Sequence, residues 1–156
     1  MFQFDVRSKH AAASGLIIGG RVRLKGAVIF PFTGATGYCV FVDDTSAAGT
    51  YVRSTTTATI TSANHGLKTG DWVYLDWNLL DNPYQITVTD ANTFTVTVAN
   101  SGGSSGSVTV WYSVLFQADA SNATAYTVVV PADGIVARNG IRVFLPADIH
   151  ASIFYG

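Results

Sequence analysis

The chain has 156 residues, 48% of them hydrophobic and only 12% charged, with a formal net charge of −1. So weak a charge supplies no long-range field to gather nucleic acid or an anionic membrane, and no apolar run approaches the ~20 residues of a membrane helix. All ten acidic residues are Asp, none is Glu, and 18 Thr and 15 Gly accompany them, a balance that favours strands and turns and leaves almost no helix.

Residues 1–14 show no usable period. Charges in MFQFDVRSKH stand where a signal peptide needs its apolar centre, so export by that route is not expected. Phe2 and Phe4 allow two readings: an arm that becomes ordered on a neighbouring subunit, covering two rings that are costly to expose, or a short edge strand of its own domain. From 15 to 32 the alternation puts Val22, Leu24, Val28 and Phe30 on one strand face and Arg21, Arg23 and Lys25 on the other. Three such cations suit a solvated edge that resists strand aggregation better than a phosphate site. Pro31 ends this ladder, because it donates no backbone hydrogen bond. Residues 38–42 and 50–53 read as two further strands joined by a loop over 43–49.

Residues 57–110 alternate apolar and polar positions: Trp72 with Tyr74, Val73 with Leu75, Ile86 with Val88, then Phe94, Val96 and Val98, then Val108 and Val110. That is the period of a strand. Asp90 and Asn92 can bond their own backbone and reverse the chain between Val88 and Phe94. Further reversals are expected at His65-Gly66, at Thr69-Gly70 and over 101–106, the last read as a mobile hairpin tip, giving a meander of about four to six strands. Residues 111–117 form an apolar run expected to be buried on both faces. Tyr126, Val128 and Val130 mark the next strand, and Asp133-Gly134 and Asn139-Gly140 are turn dipeptides that tolerate positive φ. Ile141, Val143 and Leu145, then 149–155, complete about a dozen short strands, the spacing of a β-sandwich or small barrel.

Ala63-Asn64-His65-Gly66-Leu67-Lys68-Thr69-Gly70-Asp71, followed by Thr89-Asp90-Ala91-Asn92-Thr93-Phe94-Thr95-Val96, resembles a small β-module that recurs in structural proteins of tailed bacteriophages. Gly20-Arg21-Val22-Arg23-Leu24-Lys25-Gly26, with Asp133-Gly134-Ile135, Asn139-Gly140-Ile141 and Phe154-Tyr155-Gly156, resembles a family of small all-β phage virion proteins. Together the two resemblances cover most of the chain beyond residue 15. They imply an all-β architecture in three parts: an N-terminal arm over 1–14, a β-sandwich or jelly-roll-like outer domain over 15–53 and 113–156, and an inserted antiparallel meander or barrel over 54–112. They also imply a non-catalytic component of the virion, most similar to head decoration (cement) proteins. Such a protein would dock as a homo-oligomer, for example a trimer, on a shell of major capsid protein or on other virion proteins. A tail, neck or fibre-associated part is the alternative. Exposed strand edges and the arm are the natural contact material, which makes Phe2, Phe4, Arg21 and Arg23 the interface candidates.

Catalytic chemistry finds little support. Asp71 and Asp76 are five apart, so on one strand they point to opposite faces, and a turn role suits Asp71 and a solvated strand end Asp76. His10, His65 and His150 show no metal-ligand spacing, and no Gly-rich phosphate loop precedes a helix. No catalytic residue, metal or cofactor is assigned, and Cys39 reads as a buried small hydrophobe. The rival function is a carbohydrate-binding host-attachment module, since Trp72, Tyr74, Trp77, Tyr84 and Trp111 supply flat rings of the kind that stack on a sugar. Trp72 and Trp111 read as core, and Trp77, beside Asn78 at a strand end, is the aromatic expected at the surface.

Overall fold

The computed structural model describes residues 6–32, 34–77, 79, 82–120 and 124–156, and among them the chain is all-β, with sixteen strands and no helix. In chain order these are β1 (Arg7–Ala11), β2 (Gly15–Gly19), β3 (Val22–Pro31), β4 (Tyr38–Asp43), β5 (Ser46–Ser54), β6 (Thr57–Thr61), β7 (Trp72–Trp77) and β8 (Asn82–Gln85). They continue as β9 (Thr87–Val88), β10 (Thr93–Thr97), β11 (Ser105–Trp111), β12 (Val114–Asp119), β13 (Tyr126–Val129), β14 (Ile135–Ala137), β15 (Gly140–Phe144) and β16 (Ile149–Tyr155). Two compact units result, an outer one of Met1–Asp44 and Leu115–Gly156 and an inserted one of Thr45–Val114. The insertion therefore begins nine residues before the expected 54 and ends two after 112. β5 starts at Ser46, inside the expected loop, and its Ala47, Ala48 and Gly49 pair with Val110, Thr109 and Val108 of β11.

In the outer unit, β1, β16, β3 and β13 form one sheet in that order, with β14 also on β3, and β12, β4, β15 and β2 form the other. Leu24, Ala27, Ile29, Ile149 and Ile153 of the first sheet share one buried core with Ile17, Phe41, Ile141 and Val143 of the second. Each fully buried Ile or Phe contributes about 1.5–3 kcal/mol. The segment 7–11 is not an arm: β1 is an edge strand, with Arg7 opposite Tyr155 and Ala11 opposite Ala151. Phe2 and Phe4 lie outside the described residues.

The expected phase of β3 holds only as far as Leu24. Phe154 pairs with Gly26 but Tyr155 with Leu24, so the ladder shifts at Lys25 and the strand carries a bulge. Beyond it Ala27, Ile29 and Pro31 point inward, and Val28 and Phe30 turn to the outer face. Glycine permits this: a Cβ at position 26 would lie 2.5 Å from the carbonyl oxygen of Val128. At the same place β13 leaves the edge of β3 and β14 takes it over. The Asp133-Gly134 turn lies between them, with Gly134 at φ 82°. Asp43, buried at the end of β4, accepts the N–H groups of Arg138 and Asn139 at 2.9 and 2.8 Å and so holds the Asn139-Gly140 turn.

The inserted unit is a seven-stranded sheet in the order β8, β7, β11, β5, β6, β10, β9. Its two terminal strands are one stretch of chain: β8 pairs with β7, β9 pairs with β10, and Ile86 between them is buried. Ile86 also donates to Asp71 O and accepts from Gly70 N–H. The sheet thus closes on itself into a nearly complete barrel. Val73, Leu75, Ile60, Phe94, Val96, Val108 and Val110 fill it. Residues 101–106 are not a hairpin tip, because β10 and β11 do not pair with each other. Ser105 and Gly106 already belong to β11, and residues before them form a crossover, which the Arg53 guanidinium fastens through Gly102 O, Gly103 O and the Asn100 side chain. The apolar run over 111–117 is broken at Tyr112 and Ser113, where β11 ends before β12 begins, and it is half-buried along most of its length.

All three Trp lie in the inserted unit and the one Cys in the outer unit, so each unit carries its own probe. Burial pushes the Cys39 thiol up to about 12, leaving almost no thiolate to react. In rising urea, Cys39 is expected to resist a disulfide reagent at pH 8 until the outer unit opens. Gly26→Ala should lower that midpoint by the equivalent of about 1–3 kcal/mol through overpacking, while the Trp fluorescence midpoint stays in place. Gly15→Ala, with nothing within 4 Å of the added methyl, serves as the tolerated control. Ready labelling of native Cys39, or equal midpoints for both glycine variants, would contradict this account.

Candidate contact surfaces

Residues of the stretches 63–71 and 89–96 hold two loops together. His65 is buried, its Nδ1 accepts the Leu67 N–H at 3.0 Å, and its Nε2–H donates to Asp90 O at 3.1 Å. The ring meets Phe94 edge-on with centroids 5.4 Å apart. Asn92 Oδ1 accepts the Asn64 N–H, and Asp71 Oδ2 accepts the Lys68 N–H, the turn role expected of Asp71. Asp90 accepts from the Thr93 hydroxyl and the Asn92 N–H, and these two bonds, the hydroxyl first, hold its carboxyl below the ordinary 3.8. Asp76 stays exposed on β7, away from this cluster. Among the described residues no group of three or more His, Cys or Asp is placed to hold a metal ion.

Trp77 is not the exposed aromatic. It shares the inward phase of Val73 and Leu75, is 7% exposed, and packs edge-on against Tyr51 at 4.9 Å and Tyr84 at 5.6 Å. Of the three Trp the exposed one is Trp72, at 50%, on the outer phase of the same strand.

Arg21 and Arg23 do come together, though not on one strand face. Arg21 is exposed in the bend between β2 and β3, and Arg23 is half-buried on β3, its backbone paired both ways with Gly156. They line a cleft of about 240 Å³, and Arg21 also lines a neighbouring cleft of about 340 Å³ together with Arg7. Among the described residues neither lining contains an acidic side chain. Arg7 escaped notice in the sequence because only the antiparallel pairing of β1 with β16 carries it there. Lys25 turns away and donates to Asp133 O at 2.7 Å.

Residues of the stretches 20–26, 133–135, 139–141 and 154–156 come together at this basic corner. Gly20 N–H donates to Asn139 O. Arg23 lies opposite Val136, and Leu24 lies opposite both Ile135 and Tyr155.

A carboxylate titration by NMR should place Asp90 below 3.8, and Thr93→Val should move it back up. Because the folded carboxyl has the lower pKa, its contribution to stability is present above the ordinary Asp range and fades as pH falls through the depressed value. An Asp90 midpoint at or above 3.8 would contradict the bonding described. Comparison of the chain with protein-family models, with curated proteins and with solved structures gave no match, so these surfaces are read from their own chemistry.

Proposed function

We propose that this chain is a structural component of a bacteriophage particle, a head-decoration protein that docks as an oligomer on the shell and stiffens it. The observation that carries the reading is the assembly of the four outer virion-like segments into one basic corner, Arg21 and Arg23 with Arg7 beside them. The inner turn motif supports it too, since its polar groups are engaged in bracing a closed barrel, as a rigid spacer requires.

Docking works by multiplicity. One basic corner on an acidic patch of a shell protein is a weak contact. Several corners presented by a symmetric oligomer raise the overall avidity by about 10² to 10⁴. Losing part of each contact is then multiplied across the assembly.

The test is reconstitution of the purified protein on shells that lack it, with copies counted by particle reconstruction. Many copies spread over the shell are expected, and the pair Arg21→Glu with Arg23→Glu should cut occupancy at least about tenfold by setting like charges against each other. A handful of copies at one vertex would move the protein to the tail, neck or fibre, and no association with particles would end the reading. The half-exposed Trp72 supports a second reading, a glycan-binding attachment module. That reading expects glycan-array binding abolished by Trp72→Ala and untouched by the Arg pair.

A further inference from the structure

His10 and His150 are 140 residues apart, and the sheet makes them neighbours. His10 on β1 pairs with Ser152, which places it diagonally across from His150 on β16. The bulge at Lys25 and Gly26 puts Phe30 directly opposite His150 on the same outer face. The two imidazoles lie with centroids 5.3 Å apart and planes at 76°. Phe30 stands 6.2 Å from the His10 ring and Phe32 4.8 Å from the His150 ring.

From this arrangement we propose a bis-imidazole site for a divalent transition-metal ion, of the class Zn²⁺, Ni²⁺ or Cu²⁺, on the outer face of the five-stranded sheet. The spacing fits. With metal–nitrogen bonds of about 2.0–2.1 Å and a tetrahedral angle, two ligating imidazoles have centroids about 5 Å apart. Imidazole suits these ions, whereas Mg²⁺ and Ca²⁺ demand oxygen donors.

A second feature prepares one ligand. Ser152 Oγ lies 3.3 Å from His10 Nδ1. In the tautomer whose Nδ1–H donates to this hydroxyl, the lone pair sits on Nε2, the arrangement that supporting hydrogen bonds impose on metal-bound histidines. The Phe rings, in contact with both imidazoles, restrict their rotation further. No third His, Cys or Asp joins the pair among the described residues, so the remaining coordination positions belong to water or to a donor on another molecule. The inference stands on this geometry alone and is independent of the virion reading.

The experiment is a calorimetric titration of the untagged full-length chain with Zn²⁺ and, separately, Ni²⁺, with the imidazole nitrogens followed by NMR. One ion per chain is expected, perturbing His10 and His150 and leaving the buried His65 unmoved. His10→Gln and His150→Gln should each abolish the binding, and Ser152→Ala should weaken it about 10–100-fold. Both His variants remove exposed or half-exposed side chains, and unchanged Cys39 protection would certify their fold. The proposal is overturned by absence of binding at millimolar metal, which would leave an edge-to-face ring pair and nothing more, or by binding that survives in either His variant.

Discussion

The carbonyl oxygen of Val128 occupies the space where a side chain at position 26 would stand, and only glycine admits it. Beside it the β3 ladder shifts at Lys25, and that bulge sets which residues face where. With it, Ala27 and Ile29 enter the core and Val28 and Phe30 leave it. Without it, Phe30 would be driven inward against the second sheet and the outer face would lose the ring that stands opposite His150. The same displacement lets β13 and β14 share one edge of β3, which brings Gly134, Ile135 and Val136 alongside Arg23 and Leu24. The basic corner and the histidine pair thus share one backbone cause, although they lie at different ends of the strand.

The inserted unit solves a different problem. A sheet of seven strands ordinarily presents two edges of unpaired N–H and C=O groups. Here the run 82–88 bonds β7 with its first half and β10 with its second, so the edges are joined covalently through Ile86. A strand that changes partner bends, and the bend is fixed from outside by short loops whose polar side chains satisfy backbone groups: His65 for Leu67 and Asp90, Asn92 for Asn64, Thr69 for Val88. Replacing His65 by an apolar residue would strand a donor and an acceptor beside the core, at about 1–3 kcal/mol for each group left unmet.

The sequence showed strands and their inward residues wherever the period of two ran unbroken. Phe94, Val96 and Val98, or Val108 and Val110, are inside as their alternation requires. Trp77 has the same phase as Val73 and Leu75, and its burial was legible there; the neighbouring Asn and Asp residues drew attention to the strand end instead. The phase of β3 beyond Gly26 was not legible, because a bulge is set by a partner strand more than 100 residues away. The crossover over 98–104 looked like a hairpin because Gly and Ser mark a turn without saying which strands it joins, and the role of Arg53 in fastening it depends on that choice. The strand pattern put Arg21, Arg23 and Lys25 on one face, whereas Arg21 lies in the bend before β3 and Lys25 bonds to Asp133 O. Arg7, and the approach of His10 to His150, came only with the register of β1 on β16.

Closure of one unit and openness of the other divide the available contacts by kind. The inserted unit is nearly closed, so it offers a partner little backbone ladder to extend, and among its described residues the large apolar side chains that it exposes are Trp72 and Val52. The outer unit keeps strands at its sheet ends. On one side Lys9 of β1 reaches over and donates to Leu16 O and Ile17 O of β2, so a cation bridges the two edges there. On the other, β12 and β13 end their sheets, and Val129 is 75% exposed. The strands that end the two outer sheets on this side, β12 and β13, are thus not bridged by the Lys9 bonds that tie β1 to β2.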